Sequence, residues 1–339
     1  MSSNHDDQLS ALLTERRVLV ADGGMGTSLF AMGMRPGATP ELWNVENPEA
    51  IASVHLGYIE AGADIILSNT FGGTRTRLDL DGLGERVGEL NAAGVAVARR
   101  VAEEAGRKVL VAGSVGPTGA LFSPLGPMTS EEATAIFAEQ IEALAGAGCD
   151  IIWIETMSSL EELSAAHAAA AGAGLPIVTT MSFDTNGRTM MGVAPVEITR
   201  WWQDHEPRAA AVGANCGVGP ADVVLAVAEM YEGEPEPAIV AKTNCGVPQI
   251  IDGQLWYPAS SDEMSGYAEL ALDAGATIIG ACCGSVPDHI RQIRAVVDDY
   301  QPRAGIERAD VERRLGSVSR PVERKEERRR RRASAAGAN

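Results

Sequence analysis

The chain has 339 residues, of which 45% are hydrophobic and 22% are charged. This is enough apolar material for a full core, and it excludes disorder of the whole chain. Residues 1–302 carry 16 Lys/Arg and 40 Asp/Glu, a net charge of −24. Because so acidic a body repels phosphate backbones, we expect no nucleic acid among its partners.

The first ten residues, MSSNHDDQLS, lack the basic region and the apolar region of a secretory signal. The longest uncharged stretches are interrupted by Gly, Pro and Ser, so none predicts a membrane-spanning helix. We therefore expect a cytoplasmic protein. In a reducing compartment, its five cysteines indicate thiol or metal chemistry rather than disulfides.

Short apolar runs alternate with segments whose apolar residues recur at helical spacing. The runs lie at 18–24, 63–71, 108–114, 150–156, 176–183, 209–216, 238–244 and 276–283. The helical segments lie at 48–61, 85–105, 130–147, 158–173, 195–205, 220–231, 261–274 and 287–300. Near-continuous apolar runs are typical of parallel strands covered by helices. Eight such units predict a single-domain α/β fold, the (β/α)8 TIM barrel; an open doubly wound sheet is the alternative, and the count favours the barrel.

The strand–helix pattern stops after Tyr300. Residues 303–339 carry 12 Lys/Arg and 6 Asp/Glu and end in Ala, Ser and Gly. We therefore predict a barrel over 1–302 and a basic, disordered tail over 303–339 that is dispensable for catalysis. The alternative is a tail that docks on the acidic body of its own or a neighbouring subunit.

Polar residues and cysteines follow the strands at their carboxyl ends, where barrels of this kind place their active sites. Asp22 lies near the end of the first run, Asn69 near the end of the second, and Glu155 near the end of the fourth. Four of the five cysteines fall on three neighbouring strands of the same rim: Cys216, Cys245, Cys282 and Cys283.

Three of these cysteines suit a metal site. Zinc binds thiolates tetrahedrally at about 2.3 Å, and catalytic zinc keeps one position open. Cys216, Cys282 and Cys283 can supply three thiolates. Two consecutive cysteines can both point inward only where a strand ends, and the flanking Gly280 and Gly284 permit that turn. The alternative, cysteines buried as small hydrophobic side chains, is less favoured for a cluster on one rim.

The chain resembles the zinc-dependent homocysteine S-methyltransferase family, which includes betaine–homocysteine methyltransferase and the homocysteine module of cobalamin-dependent methionine synthase. The resemblance covers roughly residues 15–300. It rests on six segments: DGGMGT (22–27), LWN (42–44), EAGADIILSNTF (60–71), ET (155–156), GANC (213–216) and GACCG (280–284). In the last segment, GACCG replaces the GGCCG that is usual in the family.

This resemblance implies roles for individual residues. Cys216, Cys282 and Cys283 match the zinc ligands and carry the catalytic chemistry. Asp22 and Glu155 match carboxylates that hold the amino group of homocysteine. Further substrate-binding candidates are the backbone amides of Gly23 and Gly24, near the substrate carboxylate, and the side chains of Asn69 and Trp43.

Each of these residues also has a purely structural interpretation. Asp22 with its glycines can form only a turn, and Glu155 can be a buried ion-pair partner. Asn69 can hydrogen-bond neighbouring loops, and Trp43 can be a packing residue. Cys245 lies where the family has a small residue, so it is an alternate ligand, a redox-sensitive neighbour or, as we favour, a bystander.

The implied reaction is methyl transfer to the sulfur of homocysteine, giving methionine, with Zn2+ as cofactor. A free thiol is mostly protonated at neutral pH, and binding to zinc converts it to the nucleophilic thiolate. No general base is needed, because the proton can leave on metal binding.

Betaine is the favoured methyl donor. Quaternary ammonium groups are held by aromatic faces, and the candidates near the rim are Trp43, Phe71 and Phe183. The alternative donors are S-methylmethionine and a methylcorrinoid on a separate protein. The alternative to a methyltransferase is a different class of protein, a non-catalytic zinc-binding or redox-sensing barrel. A homo-oligomer is left open.

Overall fold

The computed structural model describes residues 6–35, 37–231, 237–251, 254–303 and 305–319. Within these ranges, eight parallel strands form one sheet in the order β1-β10-β7-β6-β5-β4-β3-β2. The strands are β1 (Leu19–Val20), β2 (Ile65–Leu67), β3 (Leu110–Val115), β4 (Ile151–Met157), β5 (Ile177–Met181), β6 (Ala211–Cys216), β7 (Ala238–Thr243) and β10 (Ile278–Ala281). A bridge between Ala21 and Ile65 joins the two edge strands, so the predicted (β/α)8 TIM barrel is confirmed.

Helices pack around the outside of the sheet and connect its strands. They are α1 (Asp6–Arg16), α2 (Met25–Ala31), α3 (Trp43–Glu46), α4 (Pro48–Glu60), α5 (Arg75–Leu78), α6 (Val87–Glu104), α7 (Ser130–Gly146), α8 (Leu160–Ala171), α9 (Pro195–Asp204), α10 (Pro220–Met230), α11 (Ser261–Asp273), α12 (Pro287–Asp299) and α13 (Arg308–Leu315). In the described part of the chain, no helix is both long and apolar enough to cross a membrane.

Alternation along the strands separates the barrel interior from its outer face. Inward side chains such as Leu19, Ile65 and Trp153 form one fully buried cluster. Outward ones such as Val20 and Ile66 belong to a second cluster shared with the helices. Leu9 and Leu12 of α1 join the inner cluster, so α1, which the sequence pattern did not predict, closes the amino-terminal end of the barrel.

The carboxyl-terminal end of the barrel carries a feature that the eight-unit pattern did not contain. Strands β8 (Gln249–Ile251) and β9 (Gln254–Trp256) form a two-stranded antiparallel hairpin between β7 and α11. Beyond the hairpin, Ala259 N donates to Cys245 O at 3.0 Å. This bond ties the end of the connection to the rim, where the site described below is formed.

Residues 305–319 differ from the prediction of a disordered tail. Helix α13 lies against α10 and α11, with Val311 fully buried and Leu315 nearly so. Arg314 Nη2 donates to Glu269 Oε2 at 2.7 Å, and Ser319 Oγ donates to Asp222 Oδ1 at 2.6 Å. The basic run at 328–332 lies outside the described residues. The boundary at residue 302 therefore cuts through packed structure.

We expect a chain that ends at residue 302 to be less stable than one that ends at residue 319. Removing α13 exposes the apolar surface that Val311 and Leu315 cover. Burial of two aliphatic side chains, less the entropy of ordering a short helix, is worth roughly 2 kcal/mol of unfolding free energy. Thermal denaturation of the two chains measures this difference. Equal melting temperatures would show that α13 adds nothing to the barrel.

Candidate active site

Three cysteine sulfurs meet at the carboxyl-terminal rim of the barrel. Cys216 is the last residue of β6, and Cys282 and Cys283 directly follow β10. The Sγ atom of Cys283 lies 3.9 Å from that of Cys216 and 4.0 Å from that of Cys282. All three sulfurs lie within 4.8 Å of one another. The structure thus brings the three predicted ligands together.

The backbone explains how two consecutive cysteines turn toward one point. Strand β10 ends at Ala281, so the alternation of a regular strand no longer applies to the pair. Cys282 N donates to Thr243 O at 2.6 Å. Gly284, the residue that follows the cysteine pair, has a φ of +80°. Cys216 itself has a φ of +60°, which L-residues rarely adopt. The rim is therefore shaped to present sulfur atoms.

The electrostatics of the three thiols are coupled. Hydrogen bonds from Cys216 and Cys282 hold the pKa of Cys283 down, to about 4, despite its burial. Hydrogen bonding to the other two sulfurs and their negative charge raise the pKa of Cys216 far above its usual range. Thiolates this close together repel one another, so a bound cation would favour ionisation of all three.

The spacing of the sulfurs fits a zinc ion. Tetrahedral coordination with Zn–S bonds of about 2.3 Å places the ligand sulfurs about 3.8 Å apart. Two of the three sulfur–sulfur distances, 3.9 and 4.0 Å, are close to this value, and all three sulfurs lie within 4.8 Å of one another. Three protein thiolates leave the fourth position free, as in catalytic rather than structural zinc sites.

The sulfurs line a cavity of about 550 Å3 at the mouth of the barrel. This is within the range of pockets that hold small molecules. The predicted residues Asp22, Gly23, Gly24, Asn69 and Glu155 also line it. The rim therefore places the candidate metal ligands and most of the candidate substrate ligands around one space.

Asp22 is buried and paired with a lysine that the sequence analysis missed. Its Oδ1 accepts from Lys242 Nζ at 2.7 Å, and its Oδ2 accepts from Leu67 N at 2.7 Å. Burial raises the pKa of Asp22, while the Lys242 ammonium opposes that rise. Lys242 is equally buried and lies 5.6 Å from the centre of the Trp153 ring. Asp22 and Lys242 thus form a buried ion pair at the cavity.

Glu155 is the second buried carboxylate of the cavity. Its Oε1 accepts from Ser114 Oγ at 2.5 Å. Burial raises its pKa to about 7, against the opposing pull of Lys242. The next residue, Thr156, has a φ of +64° and is held at both its amide and its hydroxyl by Asn215. Asn215 therefore fixes the irregular end of β4 that presents Glu155.

The two glycines after Asp22 differ in what their amides offer. Gly24 N already donates to Ser285 Oγ at 2.8 Å, so this amide is not free for a substrate carboxylate. Gly23 N has no hydrogen-bond partner among the residues with described positions. A Cβ on Gly23 would lie 2.3 Å from Ser285 Oγ, so close packing also requires glycine here.

The other predicted residues are placed less directly. Asn69 lines the cavity, but its Nδ2 donates to Pro40 O and Asn44 Oδ1, as in the structural interpretation. Trp43 packs against the outer core and does not line the cavity. Of the aromatic candidates for a cationic donor, Phe71 lines the cavity and Phe183 is buried outside it.

Cys245 lies outside the sulfur cluster. It is fully buried, its Sγ is 3.4 Å from His289 Nδ1, and its N donates to Cys283 O. It is absent from the group of residues that can share a metal ion. This placement supports the bystander interpretation. It also places His289 of α12 in the layer just behind the rim.

Tyr257 is a further lining residue that sequence reasoning did not find. It follows the β8–β9 hairpin, and its hydroxyl hydrogen-bonds to Cys283. A Cβ on Gly284 would lie 2.1 Å from its ring, so the ring packs directly over that glycine. No local signal marks Tyr257. The sequence did carry a signal for Lys242. This residue lies two positions after the inward-facing Val240 in the same strand, so it faces the barrel interior too.

Comparison with known proteins gives a consistent result. The family model for homocysteine S-methyltransferase matches residues 19–297. The methionine synthase of Mycobacterium tuberculosis is 31% identical over 310 residues, and that of Mycobacterium leprae is 29% identical over the same length. These alignments cover 86% of this chain but 26% and 25% of the relatives, so the chain spans about a quarter of their length.

A solved structure shares the fold along most of the chain. The metallated form of the homocysteine methyltransferase MmuM from Escherichia coli superimposes with a TM-score of 0.71 at 27% identity. The match covers 85% of this chain and 99% of that one, and the oxidized form of the same protein gives the same TM-score. From the extent of the family match and the placement of its motifs around one cavity, the chain belongs to the homocysteine S-methyltransferase family.

Proposed function

We propose that the chain is a zinc-dependent homocysteine S-methyltransferase that forms methionine. The observation that carries this proposal is the set of three thiol sulfurs within 4.8 Å of one another, facing a cavity that also contains buried charged groups. A non-catalytic zinc-binding or redox-sensing barrel would need the sulfurs. It would have no use for buried Asp22, Lys242 and Glu155 beside them.

Cys216, Cys282 and Cys283 would hold the zinc ion. Bound there, zinc supplies a Lewis acid that favours the thiolate form of a fourth sulfur ligand at neutral pH. The protein's part is to fix the three ligands, and the backbone hydrogen bonds around Cys282 and Cys283 do so. This rigidity keeps the site from rearranging when the substrate enters.

The charged residues would bind the amino-acid end of homocysteine. Glu155 and Asp22 accept from its α-ammonium, and the free amide of Gly23 donates to its α-carboxylate. Lys242 keeps Asp22 ionised inside the barrel and offsets the negative charge of the site. With its ammonium and carboxylate held, the substrate can direct its sulfur only toward the cysteine cluster.

In the proposed reaction, the sulfur of homocysteine attacks the methyl carbon of the donor. The new S–CH3 bond forms as the bond from the methyl carbon to the donor heteroatom breaks. The electron pair of that bond stays on the donor, which leaves as a neutral amine or thioether. The thiol proton of homocysteine passes to solvent. In-line placement of the three atoms is the main contribution that the protein makes.

Betaine remains our preferred donor. The cavity is lined by the aromatic rings of Phe30, Phe71 and Tyr257, which can face a quaternary ammonium or sulfonium group. S-methylmethionine presents the same kind of methyl group. A methylcorrinoid on a separate protein is the alternative that the similarity to methionine synthases supports.

The test is to incubate the zinc-loaded protein with homocysteine and one donor at a time, and to measure methionine by mass spectrometry. We expect turnover with betaine, and the panel includes S-methylmethionine and methylcobalamin. Methionine from another donor alone would revise only the choice of donor. Zinc-loaded, folded protein that forms no methionine with any donor would contradict the proposed enzyme activity.

A further inference from the structure

The active-site cavity contains two basic side chains, and they differ in how their charge is used. Lys242 is buried and paired with Asp22. Arg77 also lines the cavity, but its guanidinium forms no hydrogen bond or ion pair to any residue that the structure describes. Arg77 is exposed and lies on α5, in the connection between β2 and α6. Its donors therefore lie at the cavity without a hydrogen-bonded partner among the described residues, while its charge opposes the rise in the pKa of buried Glu41.

The residues around Arg77 hold its side chain in place without accepting hydrogen bonds from its guanidinium. The backbone of Gly119 lies against its stem, since a Cβ there would be 3.2 Å from Arg77 Cδ. The nearby carboxylate of Glu41 interacts with the charge of Arg77 without a hydrogen bond to it, and its Oε1 accepts from Gly72 N at 2.6 Å. Arg75, on the same short helix, is fixed by ion pairs to Glu85 and Glu139. The helix is thus anchored, and the donors of Arg77 remain for a ligand.

Apolar side chains share the cavity with Arg77 and with the carboxylate of Asp81. Phe71 begins the same connection and is exposed to the cavity, and Phe30 and Leu80 line it as well. Aromatic faces attract an onium group, whereas a guanidinium attracts a carboxylate. The two features together suit a small zwitterion that carries a methylated nitrogen or sulfur cation at one end and a carboxylate at the other.

We propose that Arg77 binds the carboxylate of the methyl donor and thereby selects small zwitterionic donors. This inference rests on the proposed methyl transfer. Homocysteine is not the better candidate for Arg77, because its charged ends already match Glu155 and the free amide of Gly23 at the barrel mouth. Arg77 instead lies on the connection that covers the cavity, beside the apolar walls.

The test compares donors with and without a carboxylate. Betaine, S-methylmethionine and dimethylsulfonioacetate carry one, and trimethylsulfonium has the same kind of methyl group without it. The variants are Arg77→Gln and Arg77→Lys. The control is Arg100→Gln, which removes the same charge from an exposed, ion-paired residue of α6 that does not line the cavity. Zinc content and melting temperature are measured for each variant.

For Arg77→Gln, we expect the donor KM to rise about tenfold or more for the carboxylate donors, the effect of losing a charge-assisted hydrogen bond. The homocysteine KM and the rate with trimethylsulfonium should stay within about twofold. Arg77→Lys should recover part of the loss, since it keeps the charge but loses the planar donor pair. Arg100→Gln should retain the donor preference of the unsubstituted protein.

Two results would overturn the assignment while leaving the methyltransferase intact. The first is an Arg77→Gln protein that loses as much activity with trimethylsulfonium as with the carboxylate donors, or that loses activity with none of them. The second is an unsubstituted protein that turns over with methylcobalamin alone. If the unsubstituted protein forms no methionine from any donor, the proposed function fails, and the role of Arg77 fails with it. The outcomes for the two proposals are therefore distinguishable.

Discussion

Replacing Cys283 with alanine is expected to remove the bound zinc and the methyl transfer together. The sulfur of Cys283 lies between the other two, at 3.9 and 4.0 Å, so its loss leaves two thiolates that cannot complete a tetrahedral site. We expect zinc content to fall from about one ion per chain to a small fraction, and methionine formation to fall below detection. Metal analysis after dialysis and the methionine assay measure the two effects.

The matched control is Cys245→Ala. Cys245 is a buried thiol on the neighbouring strand connection, but it is not part of the sulfur cluster. This variant should keep its zinc and most of its activity, with at most a modest loss of stability from a small cavity. A Cys283→Ala protein that retains full zinc content and normal turnover would overturn the ligand assignment.

Replacing Glu155 with glutamine is expected to weaken homocysteine binding while leaving the zinc in place. Glu155 lines the cavity but is not a member of the sulfur cluster. Loss of a charge-assisted hydrogen bond to the α-ammonium costs about 1.5–3 kcal/mol, which is roughly a 10- to 150-fold rise in homocysteine KM. Steady-state kinetics with metal analysis measure this. An unchanged KM and kcat would reject the role of Glu155.

The same residue gives a pH dependence with a definite sign. The pKa of Glu155 is raised to about 7, so its carboxylate is lost as the pH falls through that value. The kcat/KM for homocysteine should therefore decrease below about pH 7 in the unsubstituted protein. It should lack this decrease in Glu155→Gln. Zinc content is measured at each pH, so that loss of metal is not mistaken for protonation of Glu155.

The stability of the folded protein should depend on pH in the opposite direction from kcat/KM. A carboxyl group whose pKa is raised by folding destabilises the folded state above that pKa, and the cost disappears below the pKa of the unfolded chain. The raised pKa of Glu155 therefore costs stability above about pH 7 and none below about pH 4.5. We expect Glu155→Gln to melt at a higher temperature than the unsubstituted protein at pH 8, and the difference to vanish in acid.

The barrel and its metal ligands could be predicted because local patterns determine both. Continuous apolar runs mark parallel strands whatever their partners are, and strand ends bring Cys216, Cys282 and Cys283 to one rim. The strands are shorter than the apolar runs, as in β2, which ends at Leu67 although the run continues to Phe71. Ser68, Asn69 and Phe71 follow Leu67, lie outside the strand and line the cavity.

The charge partner of Asp22 could not be recognised from either residue alone. Lys242 is 220 residues away in sequence, and only closure of the barrel brings the two together. Strand alternation did place Lys242 inward, which would have marked it as a buried cation that needs a partner. Tyr257 had no comparable signal, because it lies after a hairpin whose course depends on packing against the rim.

The placement of loop and terminal residues also depended on contacts that sequence patterns do not carry. Trp43 was a substrate candidate, but α3 packs it against the outer core instead of the cavity. In 305–319, Val311 and Leu315 are four residues apart in a strongly charged segment. Such a short apolar pair does not predict a stable helix by itself. Its burial depends on the surface that α10 and α11 provide.

The most direct test of the account is X-ray absorption at the zinc edge, measured before and after homocysteine is added. We predict one zinc ion per chain with three sulfur neighbours at about 2.3 Å, and a fourth sulfur neighbour when homocysteine is bound. Cys216, Cys282 and Cys283 supply the first three. A sulfur count that does not change on addition of saturating homocysteine, or a protein that binds no zinc, would contradict the claim that this rim activates the substrate thiol.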